Sequence, residues 1–376
     1  MSRVFVLNTG SSSIKYQVIE TTTGESLARG SLERIGEAGS AVADHADGVR
    51  GILADLGDTT QIAAVGHRVV HGGSRFTTAT PIDDSVERAI DELSPLAPLH
   101  NPANLLGIRA ARAALPEVPH VAVFDTAFHA TLPPEAYTYA IDRDLAREHD
   151  VRRYGFHGTS HKYVSERAAA FLGRPLGSLR TIVLHLGNGA SMTAVQGGRS
   201  IDTSMGLTPL QGLVMGTRSG DLDPAVLPYL NRVAGLGIAE LDDLLNRRSG
   251  LLGMTGTGDM RDVQRAASDG DEAALTALAV WRHRIRHYLG AYIVALGGLD
   301  AIVFTAGVGE NNALLRRRTL AGLEFLGIRI DDDRNELDSR DERRISAAGS
   351  PVEVLVIPTN EELEIARQSA AAVGMR

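Results

Sequence analysis

The sequence contains no cysteine and almost no lysine. Without cysteine, the chain can form no disulfide, no thiolate metal site and no thiol nucleophile. The same absence is typical of proteins from a reducing compartment, so we expect a cytoplasmic location. Lysine occurs only as Lys15 and Lys162, so 36 of the 38 basic residues are arginine. So many arginines cannot all bind a ligand, and we expect most of them to be solvated surface groups.

Positive charge is also scarce, because 46 acidic residues outweigh the 38 basic ones and leave a net charge of −8 at pH 7. This balance excludes a broad basic surface, and with it binding to nucleic acid or to an anionic membrane. Any phosphate that the protein binds must therefore be held locally, by a few placed cations and by backbone N–H groups.

Long hydrophobic runs are missing as well. The first residues turn polar at Asn8, which is too early for a secretory signal. The longest apolar region, 288–309, is interrupted by Gly297, Gly298 and Asp300, which favours a helix end and a short strand over a membrane span. Aromatic residues make up only 5%, whereas glycine reaches 40 of 376 residues, about 11% against a usual ~7%. Such a chain should be rich in tight turns.

Short β-branched runs alternate with longer helical patterns throughout the chain, which predicts an α/β protein. In the last predicted helix, apolar residues from Leu275 to Leu296 keep the spacing of a buried face. The predicted helices are 85–93, 104–115, 161–172 and 271–296. The predicted strands are 4–7, 14–19, 27–32, 63–70, 121–124, 182–186, 192–195, 199–203, 302–305 and 354–357.

A weak internal repeat is the most informative pattern. Residues 4–32 show strand, Gly/Ser turn, strand and strand, and 182–203 repeat that order. The repeat predicts a duplicated domain with a cleft between the halves. Each turn offers small residues whose N–H groups can converge on a phosphate, and Asn8 and Lys15 frame the first turn. A further glycine-rich turn, 306–312, follows a predicted strand and could lie against a purine. Neither a P-loop nor a dinucleotide fingerprint is present.

Eight motifs, taken in order along the chain, resemble the acetate kinases. They are NTGSSSIK at 8–15, GHRVVHGG at 66–73, LHNP at 99–102, FDTAFH at 124–129, YGFHGTSH at 154–161, HLGNG at 185–189, MGTRSG at 215–220 and PTNEE at 358–362. Each motif alone is weak, but all eight in order are specific. The sequence departs from the family pattern at Met260, where an aromatic residue is expected.

The resemblance implies an α/β fold with duplicated ribonuclease H-like domains around a nucleotide cleft, as in sugar kinases, chaperone ATPases and actin. It places an N-terminal actin-like ATPase domain at 1–129 plus 362–376 and a C-terminal one at 130–361. It also implies a homodimer, with small molecules as the other partners and neither nucleic acid nor membrane among them.

The activity that the resemblance implies is reversible transfer of a phosphoryl group from ATP to acetate, with Mg2+ or Mn2+ as the metal. Propionate or butyrate kinase is the alternative within the family. A chaperone-like or actin-like ATPase module is the alternative outside it, and would lack an acyl pocket.

Four catalytic residues are carried over from the family by motif position: Arg68, Asp125, His157 and Arg218. The arginines can grip carboxylate or phosphoryl oxygens, and His157 can donate an N–H to the transferring group. Phosphohistidine catalysis is the rival role for His157. His157 and His161 also have the i, i+4 spacing of zinc ligands, although the glutamate of H-E-x-x-H is absent. Asp125 can hold the metal, orient Arg68 or orient the substrate.

Binding residues are likewise implied by the resemblance. Those for acetate are Arg68, Val70, Leu99, His100, Phe156 and Pro209. Those for the nucleotide are Asn8, Ser12, Lys15, His185, Asn188, Gly189, Asp259, Arg261, Gly307, Gly309 and Asn311. Those for the metal are Asn8 and Glu361.

Overall fold

Two compact units make up the protein, for which a computed structural model describes residues 3–37, 39–40 and 42–375. Unit 1 contains the described residues of 1–130, 156–163 and 360–376, and unit 2 contains 131–155 and 164–359. The predicted domains differ from these units mainly at 156–163, which pack with unit 1. Compactness alone does not define a domain, so the predicted domain boundaries stay a prediction.

The sheet of unit 1 has six strands in the order β3-β2-β1-β4-β6-β5. The hairpins β1/β2 and β2/β3 are antiparallel, β1/β4 and β4/β6 are parallel, and the short β5 closes the edge antiparallel to β6. The strands are β1 Arg3–Thr9, β2 Ser13–Glu20, β3 Glu25–Glu33, β4 Ile62–Val69, β5 Thr80–Pro81 and β6 His120–Phe124.

The sheet of unit 2 repeats this plan strand for strand, in the order β9-β8-β7-β10-β12-β11. Its β7/β8 and β8/β9 pairs are antiparallel, β7/β10 and β10/β12 are parallel, and β11 is antiparallel to β12. The predicted duplication is therefore confirmed. The strands are β7 Arg180–Leu186, β8 Ala190–Gln196, β9 Arg199–Thr203, β10 Ala301–Thr305, β11 Arg343–Arg344 and β12 Glu353–Val356.

Fifteen α-helices occur in the described part of the chain, and all four predicted helices are among them. They are α1 His45–Leu56, α2 Asp84–Glu92, α3 Asn101–Ala114, α4 Pro134–Tyr137, α5 Arg143–Glu148, α6 Gly158–Leu172, α7 Val226–Ala234, α8 Ile238–Arg247, α9 Gly250–Thr255, α10 Met260–Ser268, α11 Glu272–Ala295, α12 Ala306–Asn311, α13 Ala313–Leu320, α14 Asp332–Glu336 and α15 Glu361–Ala372.

Two sequence predictions in unit 2 need correction. Leu275 is 46% exposed, because the buried face of α11 begins at Ala274, although it continues through Leu278 and Trp281 as predicted. The glycine-rich segment after β10 is not an extended turn. Ala306 adopts a left-handed φ of 63°, and this single residue turns the strand directly into α12.

Two helices of unit 1 pack closely against its sheet. A Cβ on Gly107 would clash with Thr9 at the end of β1, so α3 approaches this strand as closely as its backbone allows. Helix α15 lies against β4 in the same way, because a Cβ on Gly66 would sit 2.5 Å from the Ser369 hydroxyl. Gly107 and Gly66 therefore allow α3 and α15 to lie close to the sheet, next to the ends of its parallel strands.

Among the described helices, none has both the length and the apolar character required to cross a membrane.

Candidate active site

Arg68 lies in an ion pair with Asp125 where two parallel strands end. Arg68 is in β4, and Asp125 directly follows β6. The guanidinium donates from Nε to Oδ1 at 3.0 Å and from Nη2 to Oδ2 at 2.7 Å. Burial opposes the charge of Arg68, but Asp125 and then Glu361 raise its pKa above the ordinary value. Arg68 is therefore a fixed cation, and Asp125, with both oxygens engaged, orients it.

Glu361 begins helix α15, whose N-cap residue Asn360 accepts a hydrogen bond from the Leu363 N–H at 3.0 Å. Burial raises the pKa of Glu361 to about 7; Arg68 opposes this rise, while Asp125 and Glu362 add to it. Burial is the largest of these effects, because it disfavours the charged form of the carboxyl group. A cation bound to its oxygens would favour the charged form.

His157 lies in a strained turn that docks onto the residue pairing with Arg68. Its φ of 56° is left-handed, which is uncommon outside glycine and is typical of functional turns. The next residue, Gly158, donates its N–H to the Asp125 carbonyl at 2.9 Å. A Cβ on Gly158 would clash with that carbonyl oxygen. Only glycine lets the start of α6 come this close to Asp125.

Two buried asparagines hold the end of β4, and the sequence did not reveal their role. Asn104 accepts from the Val70 N–H at 3.0 Å and donates to the Thr9 carbonyl at 2.8 Å. Asn101 accepts from the His71 N–H at 3.1 Å and donates to the His71 carbonyl at 3.0 Å. Their side chains replace the strand partner that this backbone lacks. The only sequence signal was Asn101 within the LHNP motif.

The predicted acyl-pocket residues differ in exposure. Val70 is 7% exposed and Phe156 is 1% exposed, and the Phe156 ring meets His71 edge-on at 5.4 Å between centroids. Leu99 is 49% exposed, and His100 occupies the N-cap position of α3. Pro209 belongs to unit 2. Val70 and Phe156 thus provide buried apolar surface in unit 1, and the pocket as a whole stays a prediction.

The first of the two turns that are predicted to bind phosphate is compact. The Gly10 N–H donates to the Ser13 carbonyl at 2.8 Å, which leaves Ser12 inside the turn between β1 and β2. Asn8 and Lys15 are directly opposite each other across these strands, so their side chains share one face of the sheet. Asn8 Oδ1 also accepts from Arg68 Nη1 at 3.4 Å. Asn8, which is predicted to bind both the nucleotide and the metal, therefore lies beside the Arg68 ion pair.

The second turn, in unit 2, is equally tight. The Gly187 N–H donates to the Gly189 carbonyl at 3.1 Å, and the Gly216 N–H donates to the Asn188 carbonyl at 3.0 Å. A Cβ on Gly216 would clash with the Asn188 side chain. His185, at the end of β7, is 7% exposed. This packing fixes the turn against the segment that carries Arg218.

A cavity of about 650 Å³ opens beside this second turn. Five of the predicted nucleotide residues line it, and Gly309 lies one residue beyond Val308 in the same wall. A Cβ on Gly307 would meet no protein atom within 4 Å, so the backbone there faces open space. The lining comprises Gly187, Asn188, Gly216, Leu251, Gly258, Asp259, Met260, Arg261, Trp281, Gly307, Val308, Asn311 and Asn312.

Asp259 and Arg261, which both line the cavity, form an ion pair. Asp259 is the N-cap of α10 and accepts from the Arg261 N–H at 2.8 Å and from Arg261 Nη2 at 2.6 Å. These hydrogen bonds lower the pKa of Asp259 to about 2. Met260 and Trp281 supply apolar surface next to the pair. Trp281, the only tryptophan of the chain, was not anticipated as a cavity residue.

Arg218 is a partly buried cation whose contacts are neutral groups. Its Nη1 donates to the Pro209 carbonyl at 3.3 Å and approaches the Met215 sulfur at 3.7 Å. Within the described part of the chain it forms no ion pair, and burial lowers its pKa below the ordinary value. A half-buried guanidinium without a carboxylate is costly unless a ligand supplies the negative charge.

A comparison with protein families gives one match that spans nearly the whole chain. The sequence model of the acetokinase family matches residues 3–367. The chain belongs to the acetokinase family. Members of the family transfer a phosphoryl group to a carboxyl group, so this family member is a phosphotransferase, and it uses ATP and ADP.

Individual acetokinases resemble this member along their full length. The acetate kinase of Clavibacter michiganensis subsp. michiganensis is 66% identical, over 99% of both chains. Among solved structures, Porphyromonas gingivalis acetate kinase is 43% identical with a TM-score of 0.95, over 99% of this chain and 100% of that one. A propionate kinase from Francisella tularensis subsp. tularensis is also 43% identical, with a TM-score of 0.92 and the same coverage. The expected actin-like ATPase fold with two similar domains is confirmed.

Proposed function

We propose that this protein is an acetate kinase, which transfers the γ-phosphoryl group of ATP to acetate and forms acetyl phosphate and ADP. The observation that carries the proposal is the 66% identity to an acetate kinase over 99% of both chains. The residues that the family motifs mark as functional support it, because they have the charge and burial that this chemistry needs.

The main obstacle to the reaction is electrostatic, since ATP and acetate are both anions. In unit 1 we assign Arg68 to the acetate carboxylate and the transferring phosphoryl group. Asp125 holds the guanidinium in one orientation through two hydrogen bonds, at 3.0 and 2.7 Å. Because acetate is already ionised at neutral pH, no general base is needed. Asp125 therefore acts on the reaction by positioning Arg68.

The proposed transfer is direct. An acetate oxygen forms a bond to the γ-phosphorus while the bond from that phosphorus to the β–γ bridging oxygen breaks, and ADP leaves with the electron pair. His157 donates an N–H to a phosphoryl oxygen, and its strained turn on Asp125 supports a fixed orientation. Direct transfer needs no covalent phosphohistidine intermediate, so we prefer the hydrogen-bonding role for His157 over the covalent one.

Unit 2 supplies the nucleotide site and a second cation in this proposal. The 650 Å³ cavity is of the size expected for a small-molecule pocket, and its apolar side at Met260 and Trp281 suits a purine. In this turn the Gly187 N–H is bonded to the Gly189 carbonyl, so we assign the N–H groups of Asn188 and Gly189 to the phosphate oxygens. Arg218, which has no carboxylate partner in the described chain, neutralises charge on the phosphoryl group in the transition state.

The residues of unit 1 fit a magnesium ion. Mg2+ prefers oxygen ligands, keeps several waters and is usually bound through one or two carboxylates together with substrate phosphates. Burial raises the pKa of Glu361, and a cation bound to its oxygens would favour the charged form of this carboxyl group. We propose that Glu361 and Asn8 hold Mg2+, or Mn2+ in its place. When bound, the ion would neutralise charge on the phosphate oxygens.

Propionate is the second candidate acceptor, because the solved propionate kinase is as similar to this chain, at 43% identity, as the solved acetate kinase. In the proposal, Val70 and Phe156 form the buried part of the acyl pocket. One methylene group in such a pocket changes binding by about 1–3 kcal/mol, so acetate should be preferred but not exclusive.

The acceptor preference gives a direct test of this pocket. We expect kcat/KM to fall by about ten-fold from acetate to propionate and further to butyrate. Val70→Ala should enlarge the pocket and bring the acetate-to-propionate ratio below about three-fold. Val49→Ala is the matched control, since Val49 is fully buried in α1, outside the proposed pocket. If Val70→Ala leaves the ratio unchanged, the proposed pocket is wrong.

We also propose a homodimer and a cytoplasmic location. The first is supported only by the family resemblance, and the second only by the lack of cysteine in the sequence. Neither is needed for the chemistry above.

A further inference from the structure

The side-chain amides of Gln264 and Asn312 bond to each other twice. Asn312 Nδ2 donates to Gln264 Oε1 at 2.7 Å, and Gln264 Nε2 donates to Asn312 Oδ1 at 3.2 Å. Gln264 is in α10, and Asn312 links α12 to α13. Both residues are half-buried. We call this pair the amide clamp.

The orientation of both amides follows from a third hydrogen bond. The Leu315 N–H, in the first turn of α13, donates to the Asn312 side chain at 3.0 Å. The atom that accepts this bond must be the oxygen, because the amide nitrogen has no lone pair to offer. Gln264 must then present its nitrogen to that oxygen and its oxygen to the Asn312 nitrogen. The helix cap therefore sets the polarity of the whole clamp.

The clamp joins two segments that both contribute to the cavity lining. Asp259, the N-cap residue of α10, lines the cavity together with Met260 and Arg261 in the first turn of that helix. Gly307 and Asn311, which also line it, are both in α12. Asn312 lines the cavity itself. Capping of α13 needs only the Asn312 oxygen, so the two bonds to Gln264 are additional and connect α10 to the end of α12.

We propose that Gln264 and Asn312 are positioning residues that hold these two segments at the separation a bound nucleotide requires. The proposal rests on the assignment of this cavity to ATP and ADP. It makes the clamp a determinant of nucleotide affinity and leaves acetate binding to unit 1. Without the clamp, the nucleotide would have to order the segments itself, and its affinity would fall by that cost.

Substitutions can remove the clamp without removing the cap. Gln264→Met keeps the length of the side chain and loses both bonds, and Asn312→Ser keeps an N-cap oxygen for α13. The two single variants and the double variant should be compared for kcat, KM for ATP and KM for acetate. Binding of ADP alone is followed through the fluorescence of Trp281, which lines the same cavity and is the only tryptophan. Gln196→Met, at an exposed position in β8, is the matched control.

We expect each single variant to raise KM for ATP and Kd for ADP by about three- to ten-fold, the range for loss of a hydrogen-bonded pair. KM for acetate and kcat should stay within about two-fold, and the control variant should resemble the wild type. Because both variants break the same bonds, the double variant should be no more than about two-fold weaker than the weaker single variant. Unchanged nucleotide affinity in the single variants, or effects that multiply in the double variant, would overturn the proposal.

The wild-type titration separates this inference from the proposed function. If the wild type shows no ADP-dependent change at Trp281 and no ADP binding by calorimetry, the nucleotide assignment itself fails. If the wild type binds ADP and the variants bind it equally well, the function stands and the clamp is wrong.

Discussion

Arg218→Ala is expected to lower kcat for acetyl phosphate formation by about 100- to 1,000-fold while the protein stays folded, which is the usual cost of removing one preorganised donor to the transition state. Arg218 makes no ion pair within the described chain, so its removal leaves no carboxylate uncompensated. Stability should therefore change little, and burial of one cation fewer even favours folding. Steady-state kinetics together with a thermal unfolding curve measure both quantities.

Arg232→Ala is the matched control for this experiment, because Arg232 is an exposed arginine in the last turn of α7 in the same unit. It should leave kcat unchanged. A folded Arg218→Ala protein that forms acetyl phosphate at nearly the wild-type rate would contradict the role assigned to this residue.

Gly158→Ala has the second large expected effect. The new Cβ would overlap the carbonyl oxygen of Asp125, so either the start of α6 or the end of β6 must move. We expect a loss of about 2–3 kcal/mol in the free energy of unfolding, as for other overpacked sites. Because the movement displaces His157 and the Arg68–Asp125 pair, kcat should fall by about 100-fold. Chemical denaturation and steady-state kinetics report the two effects separately.

Gly51→Ala provides the comparison. Gly51 lies inside α1, and a Cβ there would meet no atom within 4 Å. Alanine is the better helix former, so this variant should be more stable by about 0.5–1 kcal/mol with unchanged activity. If Gly158→Ala behaved like Gly51→Ala, the close contact between α6 and Asp125 would have no bearing on function.

The fold was largely predictable because its signals are local. Each domain opens with two hairpins whose strands alternate in character and whose turns are rich in glycine and serine, and the pattern survives in both copies. The edge strands β5 and β11 escaped prediction because each has only two residues. Leu275 is exposed because it lies at the margin of the apolar stripe, where helical spacing alone does not decide burial; the predicted residues Leu278, Trp281 and Ile285 are buried.

The candidate site was predictable only where motifs mark it. Arg68, His157 and Arg218 could be named from the sequence, but the two bonds from Arg68 to Asp125 join residues that lie 57 positions apart. Asn104 acts through backbone groups, which carry no sequence signature at the partner position. The amide clamp depends on the meeting of two helices distant in sequence. Tertiary packing decides all of these contacts.

Phosphoryl transfer from ATP to a carboxylate can be tested in one assay of the purified protein. ADP and acetyl phosphate should be measured together in the presence of ATP and Mg2+, with and without acetate. We expect equal amounts of both products when acetate is present and almost no ADP when it is absent. ADP release that does not depend on acetate, without acetyl phosphate, would contradict the proposed transfer and favour an actin-like or chaperone-like ATPase.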